Sequence, residues 1–158
     1  MRLKKLKSCK NLINFCFFIF ILFYPFYTIS CSYTILPKKE IIIYKTQYKK
    51  KFPFIVEIAN DDIKRKKGLQ CRRSLKKNEG MLFEWKNEEF RYFWMKNTTI
   101  PLDLIFINSN LKIIDVFYNA SPNDHSIISS KKKAMYILEL NAGIFKSLNL
   151  QVGDLIKK

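Results

Sequence analysis

The sequence predicts an α+β fold that is mostly β, with a small mixed or barrel-like sheet and two short helices. Short runs of β-branched and aromatic residues recur along the chain, and turn-forming residues separate them. Only two segments place a helix-capping residue ahead of an apolar run. Strands and helices do not alternate regularly, which argues against a doubly wound α/β arrangement.

Each predicted strand is a run of residues that favours an extended backbone. The predicted strands cover residues 41–44, 54–58, 81–85, 91–96, 102–107, 112–118 and 134–140, and residues 152–156 close the chain. The strands at 41–44 and 54–58 predict one hairpin. Those at 102–107 and 112–118 flank Asn108-Ser109-Asn110 and predict a second hairpin.

The two predicted helices are short and begin at polar caps. Asn60 or Asp61 is expected to cap a helix over residues 63–69, and Asn141 to cap a helix that runs through Leu148. Residues 120–133 show no apolar periodicity and are predicted to form a loop.

The N-terminal segment has the composition of a targeting sequence. Five basic residues precede residue 11, and residues 12–30 carry no charge, which is the layout of a secretory signal. The run is also near the lower limit for spanning a bilayer, and Cys31 follows Thr28-Ile29-Ser30 as in a lipobox. A cleaved signal, lipidation at Cys31 and an uncleaved membrane anchor remain alternatives, and each predicts an exported protein, periplasmic or membrane-anchored and facing outward from the cytoplasm.

The predicted domain organisation follows from this segment. Residues 1–30 are the signal peptide or membrane anchor, residues 31–36 a tether, and residues 37–158 a single globular domain. Without the first ten residues, 24 basic and 13 acidic residues remain, a net charge of +11. Such a charge can attract nucleic acid or an anionic cell envelope, but the lysines are spread over predicted turns, as is typical of a solvated face. Because an exported protein also meets little nucleic acid, we expect contact with the cell envelope and not with nucleic acid.

Cysteine and histidine content predicts neither a cofactor nor a metal site. Cys31 and Cys71 are the cysteines that follow the targeting segment, so either they pair, or Cys31 is lipidated and Cys71 is a free thiol. The chain has a single histidine and no CxxC motif. A zinc or iron site with the usual ligands is therefore not expected.

The stretch FWMKNT, residues 93–98, joins large aromatic side chains to polar ones. In an extended segment Phe93 and Met95 face one way while Trp94 and Lys96 face the other, so aromatic surface lies on both faces. A strand covered on both sides is expected. The polar half is expected to cap the strand end beside Pro101, where a binding site would lie.

Several motif blocks resemble a known family. The blocks are GL at 68–69, RRSL at 72–75, EGMLF at 79–83, FWMKNT at 93–98, IPLD at 100–103, LELNAG at 138–143 and VGD at 152–154. Together they resemble the bacterial and archaeal family called domain of unknown function 192, over about residues 38–158. The resemblance implies a compact β-rich domain, commonly exported or membrane-attached, with no known cofactor and no established activity.

Polar and aromatic residues inside these blocks are the candidates for a ligand-binding site. They are Arg72, Arg73, Trp94, Lys96, Asn97, Asp103, Glu139 and Asn141. We expect Lys96, Asp103 and Glu139 to converge beside Trp94 in a shallow pocket for a sugar, a small anion or a cell-envelope ligand. The alternative for these three side chains is a buried ion-pair network.

Two other functions, a hydrolase and a structural protein, are also compatible with the sequence. A hydrolase could use Asp103 and Glu139 as acid and base, or Cys71 and His125 as nucleophile and base. A purely structural envelope protein is also compatible with the sequence. Because no nucleophile motif is present, we expect a non-catalytic binding module.

Overall fold

The structure is a computed structural model that describes residues 31–158. Ser32–Lys158 form one compact unit. The predictions for residues 1–30 lie outside the described residues. Among the helices that are described, none is long and apolar enough to cross a membrane.

Within this described part, nine strands, two short α-helices and one 3-10 turn make up the domain. The strands are β1 Lys38–Lys45, β2 Lys50–Ala59, β3 Glu79–Glu89, β4 Tyr92–Phe93, β5 Leu102–Ile107, β6 Ile113–Ala120, β7 Ile128–Ser129, β8 Ala134–Asn141 and β9 Leu155–Lys157. The helices are α1 Asp62–Lys67 and α2 Ile144–Ser147, and the 3-10 turn is Thr46–Tyr48.

Seven strands form a mixed sheet in the order β6-β5-β8-β3-β2-β1-β9, and β4 pairs with β7 separately. The β2–β3 pair is parallel and the other ladders are antiparallel. A bridge between Lys112, just before β6, and Leu155 in β9 ties the two edges of the sheet together. The mostly β, mixed sheet with two short helices confirms the predicted fold class.

Both faces of the sheet are buried, as strand β5 shows most clearly, since all six of its residues are buried. Ile105 and Ile107 belong to one apolar cluster, which includes Phe145 of α2. Leu104 and Phe106 belong to a second cluster on the opposite face. Because neighbouring residues of a strand point to opposite faces, β5 contributes to both clusters.

Helix α1 begins as predicted at Asp61, whose carboxylate accepts a hydrogen bond from the Lys64 backbone N–H at 2.8 Å. The prediction that Asn141 caps the second helix was wrong. The residue that precedes α2 is Gly143, in the left-handed region with φ 83°, and it makes no side-chain cap. The Asn141 amide instead donates to the backbone carbonyls of Leu75 and Lys76.

The predicted strand over residues 91–96 is only partly a strand. It extends over Tyr92–Phe93 alone, and Lys96 and Asn97 form a turn. Arg91 and Met95 are buried, whereas Tyr92 and Trp94 are exposed. The expectation of a strand covered on both sides was therefore wrong. Its partner β7 lies within residues 120–133, which were predicted to be a loop.

The last residue of the predicted tether is part of the packed unit. Leu36 packs against one of the core clusters, and its backbone N–H donates to Glu57 Oε2 at 2.7 Å. The polypeptide is thus fixed to the sheet from Leu36 onward.

Candidate functional site

The two candidate carboxylates lie on opposite faces of the sheet. In the antiparallel β5–β8 pair, Asp103 is paired with Leu140 and Leu104 is paired with Glu139. Directly paired residues share a face, and neighbours along a strand do not. The expectation that Lys96, Asp103 and Glu139 converge was therefore wrong, and so was the alternative that these three residues form one ion-pair network.

Asp103 is buried, and it links three elements through backbone hydrogen bonds. Its Oδ1 accepts from the Asn119 N–H at 3.0 Å, and its Oδ2 accepts from the Phe145 N–H at 3.1 Å. Strand β5 is thereby fixed to the end of β6 and to helix α2. Both oxygens of Asp103 have structural partners, which identifies it as an architectural residue.

Glu139 is also buried, at 5% exposure, but it has no partner of this kind. Its Oε2 makes no hydrogen bond to any of the described residues. Removal from water disfavours the charged form, and this desolvation raises the pKa of Glu139 from 4.5 to about 8. At neutral pH the carboxyl group is therefore protonated and can donate a hydrogen bond.

Glu139 borders a small recess between helix α1 and the FWMKNT stretch. The recess has a volume of about 40 Å³, which is room for a hydroxyl or carboxyl group but not for a whole sugar ring. Its lining residues come from the end of α1 and the residues after it, from β3, β4 and β8, and from the loop that follows β4. They include Lys66, Lys67, Gly68, Phe83, Phe93, Trp94, Thr98 and Glu139.

Two glycines shape the surroundings of this recess. Gly68 ends α1 with φ 50°, a conformation that side chains rarely adopt. A Cβ atom at Gly80 in β3 would lie 2.6 Å from the Glu139 carbonyl oxygen, so only glycine lets β3 approach β8 there. Gly80, the glycine of the EGMLF block, thus allows the close pairing of β3 with the strand that holds Glu139.

Trp94 forms the open side of the recess. Its side chain is 49% exposed, and the Lys96 Nζ atom lies 5.3 Å from the centroid of its ring. Lys96 is itself exposed, so it can reach a ligand on the surface of the ring but lies outside the recess. Trp94 and Glu139 are the two sequence-predicted site residues that line this recess together.

Four other sequence-predicted candidates lie outside the recess. Arg72 is buried in an ion pair with Glu57 at 2.6 Å, its guanidinium lies 4.9 Å from the Tyr33 ring centroid, and its Nε has no hydrogen-bond partner among the described residues. Arg73 is exposed. Asn97 adopts φ 55°, and its carbonyl accepts from the Cys71 N–H. Arg72, Asn97 and Asn141 thus have structural contacts.

Cys31 and Cys71 are both disulfide-bonded in the structure. A sulfur atom in a disulfide cannot also carry a thioether-linked lipid, so lipidation of Cys31 would require a different state of that residue. Cys71 is not the free thiol that the nucleophile alternative needs. Over residues 31–158, no three His, Cys, Asp or Glu side chains are grouped so that they could hold a metal ion.

Sequence reasoning missed Lys66, Lys67 and Phe83 as residues of the recess. GL at 68–69 and EGMLF at 79–83 were noted as motif blocks, but a position in a block does not tell which face a side chain occupies. Glu139 and Asp103 were both predicted as polar residues inside the motif blocks, and that signal does not separate the two.

Comparisons with solved structures find the same fold in two other proteins. A protein from Sinorhizobium meliloti 1021, described as a candidate transcription regulator, superposes with a TM-score of 0.76 at 34% identity, over 80% of this chain and 97% of its own. A protein of unknown function from Novosphingobium aromaticivorans gives a TM-score of 0.75 at 27% identity, over 83% of this chain and 94% of its own. The match spans almost the whole of each solved chain, so in these two proteins the domain folds without a further segment.

Among curated proteins, none matches the chain. The family model DUF192, described as "Uncharacterized ACR", matches residues 43–158. This match includes the EGMLF, FWMKNT and LELNAG blocks that surround the recess. The chain therefore belongs to the DUF192 family, whose function is not established.

Proposed function

We propose that this domain binds a small anionic organic ligand, such as a sugar acid or another small carboxylate, at the recess beside Trp94. The observation that carries the proposal is the buried Glu139 carboxyl group, whose Oε2 has no partner among the described residues and which lines an open recess. Leaving such a group unsatisfied costs about 1–3 kcal/mol. A ligand oxygen in the recess would recover that free energy.

The surroundings of Glu139 define the ligand class. A protonated Glu139 donates a hydrogen bond to an oxygen of the ligand. Lys66 and Lys67 line the same recess and supply positive charge for an anionic group. Because the recess admits only an end group, the rest of the ligand would lie over the exposed ring of Trp94, where sugar rings and planar groups stack.

Binding is favoured over hydrolysis because the acid–base pair of the alternative is not assembled. Asp103 and Glu139 face opposite sides of the sheet, so they cannot flank one scissile bond. Cys71 is disulfide-bonded and so unavailable as a nucleophile.

We also propose, from the composition of residues 1–30, that the domain is exported and stays periplasmic or attached to the outer side of the membrane.

The test is a thermal-shift screen of residues 31–158 against sugars, uronic acids, small carboxylates and nucleotides. We expect at least one anionic compound to raise the unfolding midpoint of the wild type and to fail with Glu139→Met, which keeps the volume but removes the donor. Glu40→Met, which removes an exposed carboxylate of β1, is the matched control and should bind as the wild type does.

Two outcomes would contradict the proposal. Equal binding by Glu139→Met would place the ligand elsewhere. If no compound stabilised the domain, the recess would be a structural feature of a purely structural envelope protein.

Duplex DNA belongs in the same screen, because the Sinorhizobium relative is described as a candidate transcription regulator. DNA binding that is lost at high salt but unaffected by Glu139→Met would favour nucleic acid over the recess.

A further inference from the structure

The exposed side of the β4–β7 pair carries a row of large apolar side chains. Tyr92 is 68% exposed and Ile127 is 72% exposed, and Phe90 and Trp94 are about half exposed. Tyr92 pairs with Ser129 and Phe93 pairs with Ile128. Continuing this register by one residue places Trp94 opposite Ile127. We call the surface formed by Phe90, Tyr92, Trp94 and Ile127 the β4–β7 face.

The alternation of the strand explains why these side chains are not in the core. Arg91 and Met95 are buried and Phe93 is half-buried, so the intervening residues point outward. The outward row therefore remains largely exposed within residues 31–158. Single exposed apolar residues are ordinary, but four in one patch indicate a contact surface.

Lysines lie at both ends of this face. Lys96 follows Trp94 and lies over its ring, and the exposed residues Lys131, Lys132 and Lys133 follow β7 closely. The acidic neighbours are engaged locally. Glu89 pairs with Arg91 at 3.5 Å, and the Asp124 carboxylate accepts from the Ser126 N–H. The face thus combines an aromatic centre with cationic ends.

The polypeptide that follows the predicted targeting segment joins the domain near the same end. The Tyr33 ring packs on the Arg72 guanidinium, and the Arg72 carbonyl accepts from Thr99 Oγ1 at 2.7 Å. Thr99 immediately follows the FWMKNT stretch. The first residues of the described chain thus contact a residue that is bonded to the end of the FWMKNT stretch.

We propose that the β4–β7 face docks on an anionic lipid surface. Tyrosine and tryptophan are the residue types that favour the boundary between lipid headgroups and acyl chains. Lysines beside them are attracted to anionic headgroups, and this attraction weakens as salt is added. Tyr92 and Ile127, unlike Trp94, do not line the recess, so variants at these two residues test the proposal separately from ligand binding there.

The experiment measures cosedimentation of residues 31–158 with vesicles, which removes any contribution from residues 1–30. The vesicles are pure phosphatidylcholine, or phosphatidylcholine mixed with phosphatidylglycerol. We expect binding to the mixed vesicles that is lost at high salt and is weak on pure phosphatidylcholine. The double variant Tyr92→Ser with Ile127→Ser should lower the partition coefficient about tenfold or more, since two apolar anchors are removed.

The matched control is Tyr118→Ser with Val152→Ser, which removes an exposed tyrosine and an exposed aliphatic residue outside the β4–β7 face. Its binding should equal that of the wild type, and so should that of Glu139→Met, which separates this proposal from ligand binding at the recess. Absence of binding to phosphatidylglycerol vesicles, or equal loss in the control pair, would overturn the proposal. So would a wild-type dimer that Tyr92→Ser with Ile127→Ser dissociates, because the face would then join two copies of the chain.

Discussion

Asp103 and Glu139 are two buried carboxyl groups in neighbouring strands, and they differ in what surrounds them. Asp103 accepts hydrogen bonds from two backbone N–H groups, whereas Glu139 Oε2 has no partner among the described residues. Both look alike in the sequence, as an acid inside an apolar strand. The comparison teaches that burial of an acid does not by itself mark a site, because the partners of the acid decide between architecture and an unfilled binding position.

Removing the Asp103 carboxylate tests whether this residue holds the fold together. Asp103→Ala removes the acceptors of the Asn119 and Phe145 N–H groups, and the second of these is buried at the start of α2. Hydrogen bonds to charged groups contribute about 1.5–3 kcal/mol each, so we expect the free energy of unfolding to fall by about 4 kcal/mol. Urea unfolding at neutral pH measures it.

Asp103→Asn is the control for that loss. Its side-chain oxygen can still accept one of the two hydrogen bonds, so we expect it to recover roughly half of the lost stability. If Asp103→Ala were as stable as the wild type, Asp103 would not be architectural, and the contrast with Glu139 would fail.

The second prediction is that burial of Glu139 makes the stability of the domain depend on pH. Burial raises the pKa of Glu139 from 4.5 in the unfolded chain to about 8 in the folded domain. Between these values the folded state keeps a proton that the unfolded state has lost, so stability falls as pH rises through this window. The slope is at most about 1.4 kcal/mol per pH unit, and we expect a loss of about 4 kcal/mol over the window.

Glu139→Met isolates this contribution because it leaves the other titrating groups in place. The difference in unfolding free energy between the variant and the wild type should grow from about pH 4.5 to about pH 8 and then level off. A difference that does not change with pH would show that Glu139 titrates normally.

The sequence was sufficient to predict the strands of the sheet, but not which of the candidate site residues lie together. The apolar runs gave the strand positions, because alternation and β-branched residues specify extended backbone directly. The convergence of Asp103 with Glu139 could not be judged, since it depends on the register of two strands far apart in the sequence, and a shift by one residue exchanges the faces. Likewise Tyr92 and Trp94 were expected to be covered, because composition does not reveal that β4 pairs only with the short strand β7.

Measuring the stability of Glu139→Met at about pH 4 shows what the buried carboxyl group costs when it is not ionised. At about pH 4 the Glu139 carboxyl is protonated in both the folded and the unfolded chain, so its raised pKa no longer affects stability. What remains is a neutral polar group buried without a partner, and replacing it by an apolar side chain of similar volume removes that cost. We therefore expect Glu139→Met to be more stable than the wild type by about 1 kcal/mol in urea unfolding at this pH.

The sign of this change separates the two acids more sharply than its size. Asp103→Met under the same conditions should destabilise, because it leaves the Phe145 N–H buried without an acceptor. If Glu139→Met also destabilised the domain at about pH 4, Glu139 would have a structural partner, and the recess would lose the unsatisfied group on which ligand binding is proposed. Stabilisation at Glu139 together with destabilisation at Asp103 is the pattern expected when one acid serves the fold and the other is left open for a ligand.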